Sequence, residues 1–201
     1  MTSFAPINYD HFRSILLYLS GTPDFVVTVL HALNRIDTGL AQRAIMQMLA
    51  NPKTYEFDTV LIPAALVLSQ RALDQGQPAS QQLFNACLVH LHTRIAQDLQ
   101  PPANWNRASA LPCRCGYCAE LSRFLVDPER EMWTLKASGE IRSHVESSIR
   151  SSQCDVDYAT DKRGRPFTLI CTKNQASYQR RVSQRQHDLE NVAQLKKTVL
   201  I

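Results

Sequence analysis

Apolar residues recur at three- and four-residue steps through the first hundred positions, which is the spacing of amphipathic helices. Capping and turn residues punctuate the pattern, as where Thr22 precedes Pro23 and where Asn51 precedes Pro52. The pattern predicts five helices joined by short turns, over residues 10–19, 23–33, 38–49, 58–74 and 80–99. Such helices form either an antiparallel bundle or a HEAT-like stack of helical repeats.

The second half of the chain changes in character, because short alternating segments appear among the helices. A helix over 119–125, a brief strand over 132–135 and a helix capped by Ser138 come first. Two alternating segments, 154–160 and 167–173, then predict a β-hairpin, and a long polar helix begins at Gln175. The predicted fold class is therefore α+β and mainly α.

Charge divides the chain at the same place. Residues 1–100 carry 6 Lys and Arg against 7 Asp and Glu, whereas residues 101–201 carry 16 against 11. The pair Pro101-Pro102 stands at this change and is typical of a linker. We therefore predict a helical domain over 1–100 and a second domain over 101–201.

The composition is that of a globular protein, with 44% hydrophobic and 20% charged residues. Asp10, His11 and Arg13 interrupt the apolar stretch that a signal peptide would need, and no run approaches membrane-spanning length. We therefore expect a cytoplasmic protein with no membrane partner. In a reducing compartment, its six cysteines are expected to be metal ligands or buried thiols instead of disulfides.

Three cysteines within six residues, Cys113, Cys115 and Cys118, predict a zinc site. Zn²⁺ takes four ligands in a tetrahedron, so a fourth must come from elsewhere in the chain. His144 is the preferred candidate because its helix must pack close to the cysteines, with its side chain on the buried side. Cys154 and Cys171 are the alternatives. Four protein ligands would make the zinc structural, since they leave no open position for a substrate.

Nothing in the sequence matches a catalytic motif. There is no His-Glu-x-x-His, no Gly-x-Ser-x-Gly and no glycine-rich phosphate loop. We therefore expect no enzyme activity and no small-molecule substrate.

Two functions of different classes remain. The chain is expected to be a zinc-stabilised interaction or scaffold module that holds a protein partner or an upstream domain. The alternative is a zinc-finger-like nucleic-acid-binding protein that uses a basic hairpin tip and helix face. The residues predicted to contact nucleic acid are Lys162, Arg163, Arg165, Arg180, Arg181 and Arg185.

Several of these segments also resemble a known group of proteins. The cysteine run 113–118, Arg142-Ser143-His144, the stretch 163–166 and the stretch 168–173 resemble the C-terminal region of large bacterial and fungal proteins. Many of those proteins carry a 2-oxoglutarate- and iron(II)-dependent oxygenase-like domain upstream. The resemblance implies that the three cysteines and His144 act as one ligand set, and that the chain is the accessory part of something larger. It does not imply oxygenase activity here.

Overall fold

The computed structural model of the chain describes residues 21–199. In that range the fold is α+β and mostly helical, with eight α-helices and one three-stranded antiparallel sheet. None of these helices combines the length and apolar character needed to cross a bilayer. The helix predicted over 10–19 lies outside the described residues. The elements are α1 Pro23–Ile36, α2 Thr38–Leu49, α3 Ile62–Ser69, α4 Ala72–Gln75, α5 Pro78–Ile95, α6 Gly116–Val126, β1 Met132–Lys136, α7 Gly139–Ser151, β2 Val156–Asp161, β3 Thr168–Lys173 and α8 Ala176–Val199.

The described chain divides into two compact units. The first unit contains the residues up to Gln97 together with those from Arg185 onward, and the second contains Asp98–Gln184. Helix α8 therefore begins in the second unit and ends in the first. The division into domains 1–100 and 101–201 stays a prediction.

The first unit has an apolar core built from the stripes that the sequence pattern predicts. Helix α1 begins after Thr22, whose hydroxyl accepts the N–H of Phe25, and α2 begins after Asp37, whose carboxylate accepts the N–H of Gly39. The core is closed by residues from α1, α2, α3, α5 and the end of α8. Its largest fully buried side chains are Leu30, Ile45, Leu61, Leu68, Leu83, Phe84, Leu91 and Leu195.

The single helix predicted over 58–74 is wrong in detail. Residues Phe57–Leu61 form one wide π-helical turn, α3 follows, and a break at Gln70 and Arg71 separates it from the short α4. Pro63 explains the wide turn, because it has no N–H to donate and its ring clashes with the carbonyl four residues earlier. The capping position is Glu56.

The second unit is organised by its sheet, in which β3 lies between β1 and β2. The register aligns Cys171 with Trp133 on one side and with Tyr158 on the other. The predicted hairpin is confirmed as the β2–β3 pair. The strand predicted over 132–135 corresponds to β1, which is the third strand of the sheet. The core of this unit contains Leu121, Phe124, Leu125, Trp133, Leu135, Val145, Ile149, Val156, Leu169 and Cys171.

Candidate metal centre

The start of α6 holds two of the three clustered cysteines in a fixed relation. Cys115 is the N-cap of the helix, and its Sγ accepts the backbone N–H of Cys118 at 3.5 Å. The carbonyl of Cys115 also accepts the N–H of Ala119, which is the ordinary start of a helical ladder. The sulfurs of Cys115 and Cys118 are therefore brought together by local backbone structure.

His144 on α7 completes the group. Its Nε2 lies 3.4 Å from the Sγ of Cys113, 3.4 Å from that of Cys115 and 3.3 Å from that of Cys118. All four ligand atoms lie within 4.8 Å of one another. Zinc bonds of about 2.3 Å to sulfur and about 2.0 Å to nitrogen at tetrahedral angles would separate S from N by about 3.5 Å. The four residues are thus positioned to bind a metal ion.

Burial differs among the four ligands. Cys118 is buried, Cys113 and Cys115 are partly buried, and His144 is exposed. The expectation that His144 lies on the buried side of its helix is therefore wrong. Val145 and Ile149 form the buried stripe of α7, and His144 lies beside this stripe, where the cysteines cover only part of its ring.

The pKa values of two of the three thiols, those of Cys115 and Cys118, are shifted in opposite directions. The backbone N–H of Cys118 is the main cause that lowers the pKa of Cys115 to about 6, because it stabilises the thiolate. Burial is the main cause that raises the pKa of Cys118 to about 11, although a hydrogen bond from Ser148 opposes it. A metal cation would supply the positive charge that allows both sulfurs to be thiolates at once.

Ser148 also contacts this group of residues, although the sequence pattern does not single it out. Its Oγ lies 3.4 Å from the Sγ of Cys118 and 3.0 Å from the carbonyl oxygen of His144, so its one proton can be donated to either atom. The side chain is therefore in contact with one ligand and with the backbone of another. The sequence contains one indication of this role, because Ser148 follows His144 by four residues and residues four apart share a helix face.

The alternative fourth ligands lie elsewhere. Cys154 and Cys171 both belong to the apolar core of the second unit, and burial is the first cause that raises the pKa of each thiol. Among the described residues, the only group of this kind contains the three clustered cysteines and His144.

The sequence also contains a second pattern of possible metal ligands. His144 precedes Glu146 by two residues, which is the His-x-Glu spacing of non-haem iron sites. On α7 two residues subtend about 200°, so these side chains diverge. Since His144 faces the sulfurs, this pair does not form the carboxylate-containing triad of an oxygenase.

The residues predicted to bind nucleic acid fall at separate places. Lys162, Arg163 and Arg165 follow β2 at the hairpin tip and are exposed, with Arg163 paired to Asp161 at 3.0 Å. The start of α8 contacts Asp155, which stands at the opposite end of β2, roughly 17 Å along the strand. The remaining candidates belong to α8. Arg180 lies 3.8 Å from Asp155, Arg181 is exposed, and Arg185 donates to the carbonyl of Ile95 within the first unit.

Comparisons with protein-family models, with curated proteins and with solved structures find no significant match for this chain.

Proposed function

We propose that this chain is a non-catalytic interaction module whose second unit is stabilised by a structural zinc ion. The observation that supports this most strongly is the convergence of the Cys113, Cys115, Cys118 and His144 ligand atoms within 4.8 Å. Zinc is the ion that this donor set fits best, because it favours tetrahedral sites made of thiolate sulfur and imidazole nitrogen. Four protein ligands leave no position for substrate, so the ion would hold α6 against α7 instead of doing chemistry.

The metal assignment is tested by metal analysis of the purified chain and by replacing the ion with Co²⁺. We expect one zinc per chain and, with Co²⁺, the sulfur-to-metal charge-transfer absorption of a tetrahedral thiolate site. Cys118→Ser should abolish both signals. Cys171→Ser is the matched control, since its thiol is equally buried but lies in the sheet, and it should retain the metal. A purified chain that contains no metal, is fully folded and does not lose stability when a chelator is added would overturn the proposal.

The first unit would supply a binding surface in this proposal, whether its helices form a bundle or a HEAT-like stack. The contacts that we propose for another protein are the large apolar side chains of Ile36, Leu73 and Val89, which are 75%, 79% and 66% exposed. We propose a protein partner, or an upstream domain if the chain is the accessory part of a larger protein. Association through such a surface should change little with salt and weaken on Leu73→Asp.

Nucleic-acid binding is the second candidate function. The exposed side chains of Lys162 and Arg165 at the hairpin tip support it, because neither forms an ion pair among the described residues. A short single-stranded RNA should then bind with an affinity that falls steeply with salt. A Lys162→Ala, Arg165→Ala double variant should lower the salt slope by about two. Binding that neither weakens with salt nor changes in the double variant would exclude the hairpin tip as the nucleic-acid contact.

A further inference from the structure

A polar cavity in the second unit stands apart from the candidate metal centre. It has a volume of about 250 Å³, far more than one water molecule needs, and is lined by the segment 106–109, the segment 153–155 between α7 and β2, and the start of α8. Two arginines, Arg107 and Arg181, are among its lining residues. This cavity has no role in the function proposed above.

Arg107 is held in place by the protein backbone and is only 6% exposed. Its Nε donates to the carbonyl of Asn174 at 2.6 Å, and its Nη1 donates to the carbonyls of Asn104 and Asn106 at 2.6 and 2.8 Å. Its Nη2 makes no hydrogen bond to any residue that the structure describes. Nη2 is therefore the nitrogen of this guanidinium that remains able to donate to a molecule in the cavity.

Two of the side chains around the cavity, Asp155 and Asn106, already use their acceptor oxygens. Asp155 is 7% exposed, and its two carboxylate oxygens accept the N–H and the hydroxyl of Ser177. The side-chain oxygen of Asn106 accepts the N–H of Ala108 at 3.1 Å. Among the lining side chains that the structure describes, the unpaired donors are Nη2 of Arg107, the guanidinium of Arg181 and the amide NH₂ of Asn106, and the exposed amide of Gln153 offers both a donor and an acceptor.

A lining whose unpaired groups are mainly donors suits a ligand that only accepts hydrogen bonds. The two arginines against Asp155 also leave an excess of one positive charge. A phosphate group fits this lining better than a carboxylate, because it carries more acceptor oxygens for donors that belong to different side chains. We propose that this cavity is a phosphate-binding site, with Arg107 and Arg181 as the groups that bind the phosphate.

The test follows the backbone amide signals of the full, metal-loaded chain by NMR while inorganic phosphate is added at constant ionic strength. We expect saturable shifts in the residues that line the cavity. Arg181→Ala should weaken binding at least about tenfold, as expected for loss of one charge-assisted hydrogen bond. Arg123→Ala is the matched control, because Arg123 is equally exposed but lies on α6, and it should leave the affinity unchanged.

Two further arms identify the source of the phosphate group. If a phosphomonoester shifts the same amides with an affinity similar to that of inorganic phosphate, the natural ligand is a small phosphorylated molecule. If a short oligonucleotide binds more tightly at these amides, the ligand is a nucleic-acid backbone. Absence of saturable shifts, equal binding by Arg181→Ala and Arg123→Ala, or tighter binding of acetate would overturn the proposal. Metal content is measured in the same samples, so loss of the metal centre is recognised separately.

Discussion

The hydroxyl of Ser148 supports two of the residues of the candidate metal centre. It touches the sulfur of Cys118 and the carbonyl of His144, and such supporting groups orient ligands and tune their basicity. We therefore expect Ser148→Ala to lower zinc affinity about tenfold to a hundredfold, measured by competition with a chromophoric chelator. Ser147→Ala is the control, because Ser147 is exposed and bonds only Arg150 among the residues described. Equal affinities for the two variants would contradict this role.

Cys87 gives a second prediction at this scale, in the other unit. Burial raises the pKa of its thiol to about 12, whereas an unfolded cysteine titrates near pH 8.5. The folded chain therefore keeps this proton where the unfolded chain loses it. Its contribution to stability is complete below about pH 8.5 and is lost progressively as the pH rises toward 12.

The expected measurement is the free energy of unfolding between about pH 9 and pH 10.5. Wild type should lose stability more steeply than Cys87→Ala, with a difference near 1.4 kcal/mol per pH unit for one proton. The difference between the two proteins removes the contributions of other titrating groups. Parallel pH profiles would show that the thiol does not control this slope.

The sequence was most informative where chemistry restricts the choice of residue. Three cysteines in six positions predict a metal site because few other roles favour such a cluster, and the structure brings their sulfurs together with His144. The exposure of His144 could not be predicted, because helical periodicity gives the buried stripe but not how far a neighbouring loop covers the adjacent face. Ser148 was missed because serine is common on solvent-facing helix surfaces, and only the position of Cys118 gives it a role.

At the scale of elements, α5 and α8 are joined within the first unit by one arginine. Arg94 donates to both carboxylate oxygens of Asp188, at 2.6 and 2.7 Å, and to Asp58 at 2.7 Å. Asp188 is fully buried, whereas the side chain of Asp58 is 53% exposed. The hydrogen bond from Arg94 is the main cause that lowers the pKa of Asp58.

These exposures predict unequal effects. Arg94→Ala leaves a buried carboxylate without its bidentate partner and should cost about 3 kcal/mol in the free energy of unfolding. Asp58→Ala removes only a half-exposed ion pair and should cost less than about 1 kcal/mol. Urea unfolding of both variants, followed by a signal from the first unit, checks this order. A larger effect for Asp58→Ala would mean that the exposed pair is the more important one.

Elements were predicted well where one period applied and poorly where backbone chemistry intervened. Helices α1, α2 and α7 follow from apolar spacing, α8 was predicted as a long polar helix, and the hairpin follows from alternation. The π-helical turn before Pro63 could not be predicted, because the apolar pattern continues through it unchanged. The antiparallel pairing of β1 with β3 is a contact between distant segments, which local pattern does not specify.

At the scale of the molecule, the two units should respond differently to loss of the metal. All four candidate ligands belong to Asp98–Gln184, whereas the first unit has an apolar core of its own. The second unit is small, and a structural ion contributes directly to the folding of the segment that supplies its ligands. A chelator should therefore increase amide hydrogen exchange in α6 and α7 while exchange in α1, α2 and α5 stays slow.

Hydrogen exchange read by mass spectrometry, with and without chelator, measures this difference peptide by peptide. His144→Ala should reproduce the chelator's effect in α6 without any chelator, because it removes the ligand that connects that helix to α7. Cys154→Ser is the control, since it changes a buried thiol of the same unit that is not a ligand, and its exchange should still respond to chelator. A uniform increase in both units would mean that the chain unfolds as one cooperative body and that the metal stabilises all of it.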